Sequence, residues 1–179
     1  MRSFILSGLF VLTSLSACDM SGTMRTTDDE SAQPLVDPVG VIHAADGDTL
    51  DVIRDGEEFQ VRFKGIDTPE LWPKSDDDGS WQPEPFAEEA WTFVSSEVGA
   101  LIGLEYDEAC SPPALACKDP YDRVLAYVRL QDGRDLGEEL LRAGLATVLI
   151  FDGEPFDRVT AYLAAQEDAQ AAGVGLWAP

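Results

Sequence analysis

The sequence has few basic residues and few of the side chains that bind soft metals. Its 179 residues include 12 Lys and Arg against 34 Asp and Glu, a formal net charge of −22 at pH 7. Three cysteines and one histidine, His43, supply all the thiol and imidazole groups. A Cys/His metal site is therefore not expected. A charge this negative repels polyanions, and this argues against nucleic-acid and anionic-lipid partners.

A long apolar run is found only near the amino terminus, between Phe4 and Leu15, and it is too short to span a membrane stably. Arg2 precedes the run, and the letters "LSAC" close it at Cys18. This pattern resembles a bacterial lipoprotein signal, in which Cys18 becomes the lipidated first residue. The alternatives are an ordinary secretory signal that happens to carry a cysteine, or a buried core helix.

We therefore expect residues 1–17 to be a signal peptide and residues 18–37 to be a lipidated, flexible tether. The tether is rich in Ser, Thr and Asp and cannot bury enough apolar surface to order itself. A coil of this length reaches roughly 25 Å. The protein would then be held in the cell envelope by the lipid on Cys18, on a membrane facing the periplasm or the exterior. Residues 38–179 would form one domain, and we expect a monomer.

Two further cysteines, Cys110 and Cys117, flank the letters "SPPALA". An even pair within a short loop of an exported protein most often forms a disulfide. Two free thiols are the alternative.

Alternating apolar residues predict five strands, over residues 39–44, 50–54, 59–66, 100–107 and 124–130. Asp55-Gly56 is a strong hairpin signal between the second and third strands. Helical spacing predicts a first helix over 86–98. A second begins at the N-cap Asp135, with Glu138 at the reciprocal capping-box position. A third runs over 155–172 and turns Val159, Tyr162, Leu163 and Ala169 inward. These elements indicate an α+β fold, a small β-barrel with helices packed on one side.

Oxygen donors cluster near the ends of the predicted strands. Asp48 and Asp67 are hard ligands suited to Ca²⁺ or Mg²⁺. Thr68 precedes Pro69, so its backbone is biased to an extended geometry, and its carbonyl would add a third, neutral ligand.

Charged groups near these aspartates suit phosphate chemistry. Arg62 and Arg123 carry planar forks that match a phosphate, and Glu70 is free to orient or deprotonate a water. A metal, two guanidinium groups and a carboxylate together describe metal-assisted phosphodiester hydrolysis. Taken singly, each residue also suits a turn, a solvated strand face or a helix start, and Tyr121 suits a barrel-edge aromatic. Only their order and spacing together are specific.

The sequence resembles the staphylococcal nuclease (thermonuclease) family over residues 39–178, in "DGDTL", "VRFKGIDTPE", "YDRVLAYV", "GEELLRAGLA" and the terminal "GLW". The resemblance implies an OB-fold barrel with five strands and about three helices. It also implies calcium-dependent cleavage of single-stranded DNA and RNA, or of frayed duplex, with 3′-phosphate products.

The resemblance also implies a role for each motif residue. Calcium would be bound by Asp48, Asp67 and the Thr68 carbonyl, with Asp46 in the outer shell through water. Arg62 and Arg123 would bind the scissile phosphate, with Arg123 also close to the leaving oxygen. Glu70 would be the general base or the organiser of the attacking water. Tyr121 and Lys64 would contact the substrate.

Three features depart from the family pattern. Pro120 replaces a lysine before the tyrosine of the substrate loop, and Ile150 and Asp152 replace tyrosines after the "GLA" segment. An insertion surrounds Cys110 and Cys117. We expect the chemistry to survive these changes and the nucleotide affinity and base preference to differ.

The acidic composition leaves two accounts open. In one, the acids form a solvated shell suited to salty surroundings, where the Debye length is roughly 3–4 Å and local contacts decide binding. In the other, the domain is a retired nuclease that binds a protein or structures the envelope. The main alternative function is a non-catalytic OB-fold binding module for single strands or for a protein partner. A purely structural envelope lipoprotein is a third reading, and it predicts no calcium binding.

Overall fold

The computed structural model describes residues 34–72, 82–110 and 117–179, which all belong to one compact unit. The predicted signal peptide, the lipidation site Cys18 and most of the tether lie outside the described residues. Within the described ranges, no helix has the length and apolar character needed to cross a membrane.

The described residues contain seven strands and three α-helices. The strands are β1 (Pro38–Asp46), β2 (Thr49–Arg54), β3 (Glu57–Phe63), β4 (Ile66–Asp67), β5 (Leu101–Glu105), β6 (Val124–Arg129) and β7 (Thr147–Val148). The helices are α1 (Ala87–Glu97), α2 (Leu136–Arg142) and α3 (Val159–Ala172).

Five of the strands close into a barrel in the order β1-β2-β3-β6-β5. Every neighbouring pair is antiparallel except β3 and β6, which run parallel. This confirms the predicted five-stranded barrel of an α+β, OB-like fold with three helices. Its interior is filled by large apolar side chains with almost no exposure, among them Leu50, Val52, Ile102 and Leu104.

The predicted third strand, 59–66, is interrupted in the structure. It ends at Phe63, and Gly65 turns the chain with a φ of +83°. A side chain at Gly65 would be strained by this φ, and its Cβ would lie 2.5 Å from the ring of Phe156. After the turn, β4 pairs with β7 outside the barrel, through Ile66 opposite Val148 and Asp67 opposite Thr147. The turn brings Asp67 back towards Arg62 on β3.

The N-cap of α2 confirms one half of its predicted capping. The carboxylate of Asp135 accepts hydrogen bonds from the backbone N–H groups of Gly137 and Glu138. The Glu138 side chain instead pairs with Arg142 one turn later, at 2.7 Å, so the reciprocal half of the capping box was a wrong prediction. An ion pair at this spacing satisfies both side chains on the helix surface.

Helix α3 begins at Val159, four residues later than predicted, and is followed by Gly173 in the left-handed conformation. Tyr162 and Ala169 are buried as expected. Leu163 is 38% exposed, so its predicted inward orientation was wrong. It follows Tyr162 directly, and successive helical residues differ by about 100° in direction, so the face that buries Tyr162 leaves Leu163 at its edge.

Cys110 and Cys117 are joined by a disulfide, with their Cα atoms 5.1 Å apart. Cys110 ends a short 3₁₀ turn, Glu108–Cys110, and Cys117 leads into the loop before β6. The disulfide therefore connects the end of the β5 region to the loop that carries Tyr121 and Arg123.

Candidate active site

The "DGDT" motif forms the tight connection between β1 and β2, where Asp46 lies opposite Thr49. Gly47 is packed so closely that an added Cβ would lie 2.7 Å from Thr68 Oγ1 and 2.9 Å from Ala90 Cβ. Only glycine fits here without a shift of neighbouring atoms. This packing holds the connection against Thr68, the residue that follows β4.

Asp48 is the buried centre of the site, with 5% of its surface exposed. Its Oδ2 lies 2.8 Å from Arg62 Nη1 and accepts a hydrogen bond of 3.0 Å from the backbone N–H of Thr68. Its Oδ1 accepts a bond of 3.1 Å from the hydroxyl of Thr49. A buried carboxylate needs such partners to remain ionised.

Arg62 joins Asp48 to Asp67. Its Nη2 lies 2.5 Å from Asp67 Oδ1, while its Nη1 also donates to the carbonyl of Ile66 at 3.0 Å. The guanidinium is nearly buried, whereas the Asp67 side chain is half exposed. The two predicted metal ligands are therefore held on the same side of the barrel by one guanidinium group.

Two more acids lie next to this pair. Asp46 accepts hydrogen bonds from the backbone N–H groups of Gly47, at 2.7 Å, and Leu71, at 3.3 Å. Glu70 donates its backbone N–H to the carboxylate of Glu84 at 3.0 Å, and its carbonyl accepts from the N–H of Glu84 at 3.0 Å. These bonds fix the segment after β4 beside the β1–β2 connection.

Burial and neighbouring negative charge both raise the pKa of three of these acids. Partial burial raises the pKa of Asp46, Asp67 and Glu70, and repulsion from Asp48 adds to the rise in each case. Arg62 opposes the rise at Asp67 and Glu70. One guanidinium thus serves as counter-ion to a group of carboxylates, an arrangement that favours further positive charge.

Arg123 reaches the same centre from the loop before β6. Its Nη1 donates to the hydroxyl of Thr49 at 3.3 Å, the hydroxyl that bonds to Asp48. Its Nε lies 2.6 Å from Asp119 Oδ2, and Asp119 Oδ1 accepts the backbone N–H groups of Tyr121 and Arg123. The guanidinium lies over the Tyr121 ring, 5.5 Å from its centroid. Asp119 therefore shapes the whole loop.

A cleft of about 560 Å³ opens beside both arginines, and we call it the arginine cleft. Lys64 and the exposed Tyr121 line it, so the two predicted substrate contacts face one space. Its wall combines loop and apolar residues: Asp119, Pro120, Leu149, Phe151, Asp152 and Phe156. Of the two residues that depart from the family pattern after the "GLA" segment, Asp152 lines the cleft and Ile150 is exposed outside its lining.

The available donors suit a hard cation with a partly hydrated coordination shell. Within the described ranges, no set of three or more His, Cys, Asp or Glu side chains is arranged as a metal site. Asp48 and Asp67 supply two carboxylates, and the buried Thr68 Oγ1 has no hydrogen-bond partner. Carboxylate and neutral oxygen donors fit Ca²⁺ or Mg²⁺, both of which accept water as a ligand.

Three residues that shape the site were not predicted from the sequence: Thr49, Glu84 and Asp119. Thr49 lies within the "DGDT" motif, and its position directly after Asp48 was a usable signal. Asp119 lies four residues before Arg123, a spacing typical of a local ion pair. Glu84 gave no signal, because it is separated from its partner Glu70 by 14 positions in the sequence.

Comparison with known proteins identifies the family. The family model "Staphylococcal nuclease homologue" matches residues 60–179. The thermonuclease of Staphylococcus intermedius is 31% identical over 134 residues, which are 74% of this chain and 71% of that protein.

Two other relatives share the similarity over part of their length. The thermonuclease of Staphylococcus hyicus is 35% identical over 108 residues, covering 59% of this chain and 56% of that protein. The probable endonuclease LCL3 of Phaeosphaeria nodorum is 31% identical over 138 residues, covering 73% of this chain and 42% of that protein. The chain thus spans about half the length of these two relatives. Together, the profile match and the fold show that the chain belongs to the staphylococcal nuclease family.

Proposed function

We propose that this protein is a calcium-dependent nuclease that hydrolyses single-stranded DNA, RNA or both to products with 3′-phosphates. We further propose that it is exported and acts as a monomer, held to a membrane of the cell envelope by the lipid on Cys18. The names of its relatives, thermonuclease and probable endonuclease, support a nuclease.

The observation that carries the proposal is the linkage of five polar side chains around one point. Arg62 contacts both Asp48 and Asp67, and the hydroxyl of Thr49 connects Asp48 to Arg123. Both arginines also line a cleft large enough for a nucleotide. A solvated strand face has no physical need for this convergence.

Each residue has a defined part in the hydrolysis. Asp48 and Asp67, with the backbone carbonyl of Thr68, would hold Ca²⁺. A Ca²⁺ ion held there would supply a Lewis acid that offsets charge on the phosphate oxygens. Arg62 and Arg123 orient the phosphate with their forks and stabilise the charge that develops on it.

Glu70 takes a proton from the attacking water, whose oxygen forms the new bond to phosphorus. Its raised pKa makes it a stronger base at neutral pH than an exposed glutamate. The bond from phosphorus to the 5′-oxygen breaks, and the leaving oxygen is stabilised by Arg123 and takes a proton from solvent. The phosphate stays on the 3′ side of the cut.

A labelled single-stranded oligonucleotide incubated with Ca²⁺ or with a chelator tests the proposal. We expect cleavage only with Ca²⁺, and we expect a phosphatase that acts on 3′-phosphates to shift the products on a sequencing gel. Arg62→Ala should lower kcat/KM by at least about 100-fold, the usual effect of losing one preorganised donor.

Arg142→Ala is the matched control. Arg142 lies on the surface of α2, pairs with Glu138 and Asp168, and has no contact with the site. The activity of the Arg142→Ala variant should equal that of the unchanged protein. If the protein binds the oligonucleotide but does not cleave it at any calcium concentration, the nuclease proposal fails and a non-catalytic OB-fold module takes its place.

A further inference from the structure

A second cleft, of about 700 Å³, adjoins the carboxylates through Leu71, and none of the described residues that line it lines the arginine cleft. We call it the tryptophan cleft, after the two indoles in its wall. Its principal lining residues are His43, Ala44, Leu71, Trp72, Glu88 and Trp91.

Both indoles are accessible from solvent. Trp72 is 64% exposed and Trp91 is 39% exposed. Trp91 Nε1 donates to the carbonyl of Ala44 at 2.9 Å, so the ring is fixed on α1 against β1. A rigid, accessible indole presents a large contact surface at small entropic cost.

Leu71 connects the tryptophan cleft to the candidate active site. Leu71 donates its backbone N–H to the carboxylate of Asp46, and it follows Glu70 directly in the chain. The arginine cleft is lined by Arg62, whose guanidinium contacts Asp48. A strand cut in its interior has nucleotides on both sides of the broken bond, so its path needs a surface on each side.

The charges of the tryptophan cleft decide what it binds. Among the described residues that line it, His43 and Glu88 are ionisable, and Lys and Arg are absent. Such a wall offers phosphate groups no ammonium or guanidinium group, whereas base stacking on aromatic rings does not depend on charge. A protein with a net charge of −22 gains more from stacking than from phosphate contacts.

We propose that the tryptophan cleft is a nucleobase-stacking subsite. It takes the bases of a single strand on the side of the broken bond opposite the nucleotide in the arginine cleft. The inference rests on the proposed nuclease function and adds to it a preference for extended single strands over minimal substrates.

The test uses Trp72→Ala and Trp91→Leu in the full chain, with Leu101→Ala as the control. Leu101 is exposed on β5 and lines neither cleft. With a single-stranded 12-mer, each Trp variant should raise KM by about 5- to 150-fold, the loss of one stacked base. Trp72→Ala changes an exposed side chain, so it keeps the test valid if Trp91→Leu does not fold.

Abasic nucleotides placed in turn along the 12-mer locate the effect relative to the cut. One abasic position on the side away from the arginine cleft should raise KM for the unchanged protein, and should add little to the KM of Trp72→Ala. A KM of Trp72→Ala equal to that of Leu101→Ala would overturn the proposal, and so would full additivity at every position.

If the unchanged protein does not cleave, the nuclease proposal fails, and fluorescence anisotropy with the labelled 12-mer still tests the subsite. Weaker binding by Trp72→Ala than by Leu101→Ala then supports stacking. Equal binding, or no binding by the unchanged protein, overturns it.

Discussion

Replacing Arg62 with alanine should destabilise the protein as well as inactivate it. The guanidinium makes four polar contacts, at 2.8 Å to Asp48, 2.5 Å to Asp67, and 3.0 and 3.5 Å to the carbonyls of Ile66 and Phe63. Removing it leaves the buried charge of Asp48 without its counter-ion. Breaking a buried pair from one side costs about 3–5 kcal/mol.

The half-exposed side chain of Asp67 contributes little to this cost, because water screens it once Arg62 is gone. The charge of Asp48 is the main cause, so Arg62→Ala combined with Asp48→Asn should be more stable than Arg62→Ala alone. Asparagine keeps an acceptor for the backbone N–H of Thr68 and removes the unpaired charge.

Urea unfolding followed by tryptophan fluorescence measures both effects. With a slope of about 2 kcal/mol per molar, the urea midpoint of Arg62→Ala should fall by about 1.5–2.5 M. The double variant should regain a clear part of that loss, and Arg142→Ala should stay near the unchanged protein. Equal midpoints for Arg62→Ala and Arg142→Ala would refute the reasoning, as would a double variant no more stable than Arg62→Ala.

Four further outcomes are expected. Reducing the Cys110–Cys117 disulfide, or replacing both cysteines with serine, should raise KM more than it lowers kcat, because the disulfide anchors the loop that carries Tyr121. Unchanged steady-state kinetics would contradict this expectation. The pKa of the Glu105 carboxyl is lowered below 4.5, and the hydrogen bonds from Arg129 are the largest cause. The ionised carboxylate therefore stabilises the folded protein above pH 4.5, and this stabilisation is lost as the pH falls through the lowered pKa. The stability gap between the unchanged protein and Glu105→Gln should therefore narrow in urea titrations as pH falls from 6 towards 3; a constant gap would count against the pairing. Cleavage rates should hold or rise as salt increases from low values, and a steep monotonic loss would contradict the screening account. Cys18→Ser should carry no acyl label in cells, and label on that variant would rule out the lipoprotein signal.

Local pattern accounts for much of the barrel. The apolar alternation of residues 50–54, the Asp55-Gly56 turn and the N-cap Asp135 each depend on neighbours in sequence, and each is found in the structure. The family motifs added the closed topology. The parallel pairing of β3 with β6 joins segments far apart in the chain, so periodicity alone has no access to it.

The features that the sequence predicted wrongly depend on contacts made only in the folded protein. Residues 59–66 were predicted to be one strand, because apolar residues continue to Ile66. The chain instead turns at Gly65, where only glycine fits against the ring of Phe156. Leu163 fits an apolar helix face, but the position of α3 on the barrel decides which of its edges is covered. The capping position of Glu138 was also correct in spacing, and Arg142 competes for its carboxylate.

The site was predictable as a set of residues but not as a network. Spacing brought Asp48, Asp67 and the two arginines into one hypothesis, and the barrel register places Thr49 opposite Arg62. The shared guanidinium and the Thr49 hydroxyl link follow from that register and from the Gly65 turn. No sequence pattern predicted the tryptophan cleft, because Trp72 lies in a Pro- and Gly-rich segment whose composition predicts only a loop.

The rate of oligonucleotide cleavage as a function of calcium concentration tests the central claim most directly. The unchanged protein should show a saturable rise, and Asp51→Asn should follow the same curve, since Asp51 is on β2 with its carboxylate bound to His43 and Gln60. Asp48→Asn should lose most of the rate at every calcium concentration. A calcium-independent rate in the unchanged protein, or an Asp48→Asn curve equal to that of Asp51→Asn, would contradict the account.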